Sequence, residues 1–108
     1  MYRINITEAA HADLQNAAVY IAVTLNNKTA ANRLLDLTNE KINVLSHSPY
    51  INALVKDTFL ASNGIRMQII NNYLAFYVIR EETQSVSVIR FLYSRRDWIS
   101  ILKNDFKN

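Results

Sequence analysis

Seven residues in the second half of this 108-residue chain carry the side chains that handle phosphate and unpaired bases: Lys56, Arg66, Tyr77, Arg90, Tyr93, Arg95 and Arg96. Guanidinium and ammonium groups grip phosphate oxygens, and phenol rings stack on exposed bases. The same residues could instead serve the fold, Tyr77 as a cross-strand packing residue and the arginines as guards against edge-to-edge aggregation. Other chemistries drop out on residue type. A single Gly cannot build a phosphate-cradling glycine loop, and the absence of Cys removes thiol nucleophiles, disulfides and Cys-type zinc sites. His11 and His47 lie far from the carboxylates of the second half, and no Ser-His-Asp pattern is visible, so neither a metal nor another cofactor is expected.

The charge is distributed unevenly. Residues 1–55 carry four Lys/Arg against four Asp/Glu, and residues 56–108 carry eight against five, so the whole net charge of +3 belongs to the second half. Such a local surplus suits an acidic or phosphate-bearing partner, and it also describes a plain solvated basic surface. Half of the residues are apolar, with one Gly and one Pro, which excludes low-complexity disorder and fits one domain over residues 1–108. No apolar run approaches a membrane span and no leader pattern opens the chain, so a cytoplasmic protein without membrane contact is expected.

These residues must be held by elements that the hydrophobic periodicity reveals. Tyr2, Ile4 and Ile6 alternate with polar residues over 2–7, the period of a half-buried strand. Thr7 can cap a helix over 8–25, in which Ala10, Leu14, Ala17, Ala18, Ile21 and Leu25 recur at helical spacing. Asn26 and Asn27 interrupt it. A second helical stripe (Ala31, Leu34, Leu35, Thr38, Ile42, Leu45) runs from about residue 29 until Pro49 ends it. Residues 50–63 read as a loop, with an extended piece at 58–61. Strands follow at 65–70, 73–80 and 86–93, separated by Asn71-Asn72 and by 81–85, and a short helix bearing Trp98, Ile101 and Leu102 closes the chain with Ser94 as its cap.

The expected fold is therefore α+β, in the order β-α-α-β-β-β, with a helical hairpin packed on one face of a small, mostly antiparallel sheet and the other face open. Alternation assigns Leu74, Phe76, Val78, Ile89 and Phe91 to the core side. With Ile4, Ile6, Leu14, Ile21, Leu34, Leu35, Ile42 and Leu45 they form the expected core. Arg66, Gln68, Tyr77 and Arg90 then point to the open side.

Three stretches carry a resemblance: Asn63-Gly64-Ile65-Arg66, then Asn72 to Tyr77, then Val88 to Trp98 with its Ser94-Arg95-Arg96-Asp97-Trp98 ending. Together with the opening strand and its Ala-rich helix, including Asp13-Leu14 and Tyr20-Ile21, the chain from Tyr2 to about Leu102 resembles a RelE/ParE superfamily toxin. The resemblance implies the toxin of a bacterial type II toxin–antitoxin module of the plasmid-stabilisation kind, neutralised by a cognate antitoxin. Two activities occur in the superfamily. RelE-like members are ribosome-dependent mRNA endoribonucleases, and ParE-like members inhibit DNA gyrase without being nucleases.

The expectation placed first is the nuclease, acting on mRNA at the ribosome without a metal; the alternative is the gyrase inhibitor. Cleavage by the ribose 2′-hydroxyl needs a base, cations for the transition-state phosphate and an acid for the leaving oxygen. The resemblance then gives Arg66, Tyr93 and Arg95 catalytic roles, and Lys56, Tyr77, Arg90 and Arg96 RNA contacts. Tyr93 departs from the pattern, because many members carry His there and a phenol with an ordinary pKa of ~10 is a poor base at neutral pH.

Overall fold

The computed structural model describes residues 1–107. In chain order the elements are β1 (Arg3–Ile6), α1 (Glu8–Val19), α2 (Lys28–His47), α3 (Thr58–Ser62), β2 (Arg66–Ile70), β3 (Tyr73–Arg80), β4 (Ser85–Tyr93) and α4 (Trp98–Asp105). The strands form one sheet in the order β1-β4-β3-β2, antiparallel except that β1 runs parallel to β4. The fold is thus the α+β arrangement expected, with the helical hairpin α1–α2 on one face.

The caps explain where the helices begin. Thr7 Oγ1 accepts from the Ala10 amide and donates to the Ile89 carbonyl, so one hydroxyl starts α1 and fastens it to β4. Asn27 Oδ1 accepts from the Ala30 amide at the start of α2. The regular part of α1 stops at Val19, short of the expected residue 25, and continues as a wider π-helical turn over Tyr20–Thr24, closed by the Leu25 amide on the Tyr20 carbonyl. Asp97, rather than Ser94, caps α4 by accepting from the Ser100 amide.

The segment expected as a loop with an extended piece is α3. Asp57 caps it through the Leu60 amide. Gly64 ends it at φ 77°, with the Gly64 amide on the Ala61 carbonyl and the Ile65 amide on the Leu60 carbonyl. That is the Schellman arrangement, and the one glycine of the chain sits where a side chain would strain the left-handed backbone.

This helix changes the layering, because the second face of the sheet is covered rather than open. On the hairpin side, Ala10, Leu34, Ile42 and Leu45 pack against Ala75, Tyr77, Val86, Val88 and Phe91. On the other side, α3 and α4 bring Leu60 and Leu102 onto Leu74, Phe76, Val78 and Leu92, with Trp98 tilted against Phe76 at 5.1 Å between ring centroids. Leu74, Phe76 and Val78 are therefore core residues of the second cluster, facing away from the hairpin. Ile6, expected in the core, is 45% exposed at the end of β1.

A register shift between Phe76 and Tyr77 pairs Phe76 with Arg90 and Tyr77 with Val88, leaving Ile89 without a direct partner. Such a bulge resets the alternation along β4. Val86, Val88 and Phe91 consequently pack on the hairpin side, while Ile89 and Leu92 pack on the other.

Candidate functional site: an aromatic groove beside the helical hairpin

The seven residues singled out above are distributed over four places. Arg66, at the start of β2, directs its guanidinium over the Tyr50 ring, 4.9 Å from Cζ to the ring centroid, and donates to the Asn52 carbonyl. The Asn52 amide nitrogen in turn donates to Gln68 Oε1 and to the Tyr77 hydroxyl, at 2.9 and 3.2 Å. Tyr77 is fully buried, and its hydroxyl donates to the Pro49 carbonyl at 2.8 Å. Its ring packs the interior and offers no stacking surface, which corrects the outward placement that alternation assigned it. Burial holds its phenol above the ordinary tyrosine pKa.

Tyr50 has a second partner. Its hydroxyl donates to Glu81, whose carboxylate also accepts from Tyr2 at 2.9–3.0 Å and from Gln84. These hydrogen bonds, the one from Tyr50 foremost, hold Glu81 below the usual carboxylate pKa, and the same bonds raise Tyr50 and Tyr2. A clasp thus ties the start of β1, the turn after α2 and the end of β3, with Arg66 at its side.

Arg90 is also not a free surface cation. Its Nε and Nη2 form a two-pronged pair with Asp13 at 2.7 and 3.0 Å, and its Nη1 reaches Asp105 on α4 at 3.1 Å. Asp13 additionally accepts from the Phe91 amide at 3.0 Å. Both side chains of the main pair are largely buried, 17% and 13% exposed. The Asp13 hydrogen bonds in particular raise the already high Arg90 pKa further, so it is a permanent cation whose charge is already balanced.

Tyr93 and Arg96 lie together in the third place, a groove of about 690 Å³ between the hairpin and the end of the sheet. Asp13, Asn16, Tyr20 and Ile21 form one wall and Asn72, Tyr73, Phe91, Tyr93 and Arg96 the other. Tyr73 stacks on Phe91, with centroids 5.1 Å apart, and meets Tyr93 edge-on at 5.4 Å. The π-helical turn supplies Tyr20 to this groove, and Leu25, which closes the turn, lines it while 55% exposed. Arg95 is exposed on the same turn as Arg96, and neither makes an ion pair among the described residues. Lys56 lies in the fourth place, on the α4 side of the sheet near Trp98.

Arg66 is not brought to Tyr93. It pairs in register with Tyr77, four residues along β3 from Tyr73, and it is Tyr73 that pairs with Tyr93. At ~3.3 Å per residue the separation along the strand is ~13 Å, with another strand between them. Among the described residues no group of His, Asp and Glu could hold a metal ion, and no helix is long and apolar enough to cross a membrane.

Tyr20, Tyr73 and Asn16 were missed because each looks like ordinary packing or helix surface in one dimension. Asp13 left a clear trace: it falls among Ala10, Leu14 and Ala17 on the apolar stripe of α1, where a carboxylate needs a partner.

Comparisons with known proteins agree with this architecture. Residues 4–98 match the family model of the ParE toxin of the type II toxin–antitoxin system parDE. The chain belongs to this ParE toxin family, within the RelE/ParE superfamily. Among solved structures it is similar to the chromosomal ParDE toxin–antitoxin system of P. aeruginosa, with TM-score 0.69 and 16% identity over 86% of this chain and 96% of that one. It is also similar to the RelBE2 toxin–antitoxin complex of Mycobacterium tuberculosis, with TM-score 0.53 and 17% identity over 85% and 96% of the two chains. No curated protein sequence matches.

Proposed function

We propose that this type II toxin acts by binding DNA gyrase, as a ParE-like inhibitor, and not by cutting mRNA. The observation that carries the reading is the dispersal of the residues a ribonuclease would need. RNA cleavage requires a base, an acid and phosphate-gripping cations within hydrogen-bond reach of one phosphodiester. Here Arg66 is drawn to Tyr50, Arg90 is neutralised by two aspartates, Tyr77 is buried, and Lys56 lies on the other side of the sheet. Tyr93 and Arg96 remain in the groove, without a carboxylate or imidazole free to act as base beside them. What the groove offers is rings, an exposed apolar border and a cation, the features of a protein-binding cleft. The family match to ParE supports the same reading.

The antitoxin fits this cleft as well. A segment placing apolar side chains against Tyr20 and Tyr73 and a carboxylate against Arg96 would complement both its surface and the net charge of +3. The test is induction of the toxin in cells together with a supercoiling assay on purified gyrase. The expected result is loss of supercoiling activity, DNA breaks, the SOS response and filamentation while mRNA stays intact. Early cuts within translated frames and a prompt fall in protein synthesis, with gyrase unaffected, would overturn the proposal in favour of the ribosome-dependent nuclease.

A further inference from the structure

Arg95 stands outside the groove that Arg96 lines, exposed and without an ion pair among the described residues. The turn that carries both is fastened by main-chain hydrogen bonds on every side. The Ser94 amide donates to the Asn72 carbonyl at 2.7 Å, which ties it to the turn between β2 and β3. The Arg96 amide donates to the Tyr93 carbonyl at 3.0 Å and the Trp98 amide to the Arg96 carbonyl at 2.8 Å, which join it to β4 and α4. The starting points of the two long side chains are therefore fixed, and both charges are left for something outside the chain.

Their surroundings do not neutralise them. Three stretches of the chain meet at this end of the molecule, and residues 14–35, 58–80 and 83–96 hold no Asp or Glu. Asn16 and Tyr20 come from the first, Asn72 and Tyr73 from the second, and Tyr93 with Arg96 from the third. The two acids that border this end are committed elsewhere. Asp13 is taken by Arg90 and the Phe91 amide, and Asp97 accepts from the Ser100 amide as the cap of α4. What remains is a pair of cations among neutral amides and phenols, the donor set of a phosphate contact. A DNA duplex carries a charge about every 1.7 Å along its axis, so adjacent guanidinium groups on one turn meet phosphates whatever the base sequence.

We propose that Arg95, with Arg96 beside it, grips the phosphate backbone of the DNA that gyrase holds, while the groove grips the protein. The inference rests on the gyrase reading and adds the nucleic acid as a second partner in the same complex. Such contacts position without specifying, so the toxin distinguishes gyrase engaged on DNA from the free enzyme and not one DNA sequence from another.

The test measures binding of the toxin to purified gyrase, with and without a linear DNA duplex, across a salt series, for the native chain and for Arg95→Gln. Arg95 is exposed, so an unchanged thermal melt will show that the variant folds. The native toxin should bind the gyrase–DNA complex about tenfold more tightly than gyrase alone at low salt. Arg95→Gln should lose most of that gain, keep its affinity for gyrase alone, and reduce the salt slope on the DNA complex by about 1. Equal affinity of the native toxin for gyrase with and without DNA overturns the proposal, as does a variant that binds the DNA complex like the native chain. A variant weakened equally on gyrase alone overturns it in favour of a carboxylate on the protein. A toxin that binds gyrase in neither state removes the gyrase reading beneath it, and the proposal with it.

Discussion

At the scale of single residues, the chain uses its charges for architecture more than for display. Asp13 satisfies the Phe91 amide and both prongs of Arg90, where β4 has run past the end of β1 and would otherwise present an open edge. Asp13→Asn leaves a largely buried guanidinium short of its main partner. It should destabilise by about 2–4 kcal/mol in a denaturant titration, the lower side of what breaking a buried pair costs. The Glu81 clasp predicts the pH dependence. Its folded carboxylate pKa is depressed, so its contribution is present above the unfolded value of ~4.3 and is lost as pH falls through the folded value. The Tyr2 and Tyr50 pKa values are raised, so their contribution is present below ~10 and is lost as pH rises through the folded values. Thermal melts across pH should therefore decline at both ends, and Glu81→Gln should flatten part of each decline. Of this scale, the Asp13–Arg90 pair was not read from the sequence, which sent Arg90 to the open face, although Asp13 left a trace as a carboxylate on the apolar stripe of α1. Glu81 left none, because its partners come from positions 2 and 50 and no local pattern joins them.

At the scale of elements, the strands and both long helices follow from periodicity, since each buries a face whose spacing survives in one dimension. α3 did not follow, because five residues span little more than one turn and its evidence is in its ends, the Asp57 cap and the Gly64 terminus. Missing it hid the second layer and reversed the faces of β3. α4 completes that layer with Leu102, which is fully buried, and is held by Arg90 to Asp105 and by Lys103 to Asp57 at 3.1 Å. Leu102→Ala should therefore cost about 2–5 kcal/mol of stability, measured by denaturant unfolding, where a helix lying loosely on an open face would show under 1. The bulge at Ile89 explains the remaining misassignment, because one inserted residue moves every later side chain of β4 to the other face.

At the scale of the molecule, the two faces of the sheet do different things. The hairpin face ends in the aromatic groove, and the α3–α4 face is a second core whose border is the edge of β2. The general class of function was legible, carried by the turn Ser94 to Trp98 and the strands before it. The expected division of labour among Arg66, Tyr77, Arg90 and Tyr93 was not, because it depended on which strands neighbour one another and on a covered face that a linear pattern does not display. The parallel pairing of β1 with β4 also bears on how the chain is made. Residues 3–6 find their partners only at 85–88, so during synthesis β1 waits for a segment made much later before it can join the sheet. Synthesis runs at roughly 5–20 residues per second, so the nascent chain spends several seconds without a finished groove. A groove lined by Phe91, Tyr93 and Arg96 is available only after those residues have emerged, and the cell has that interval in which to have an antitoxin ready.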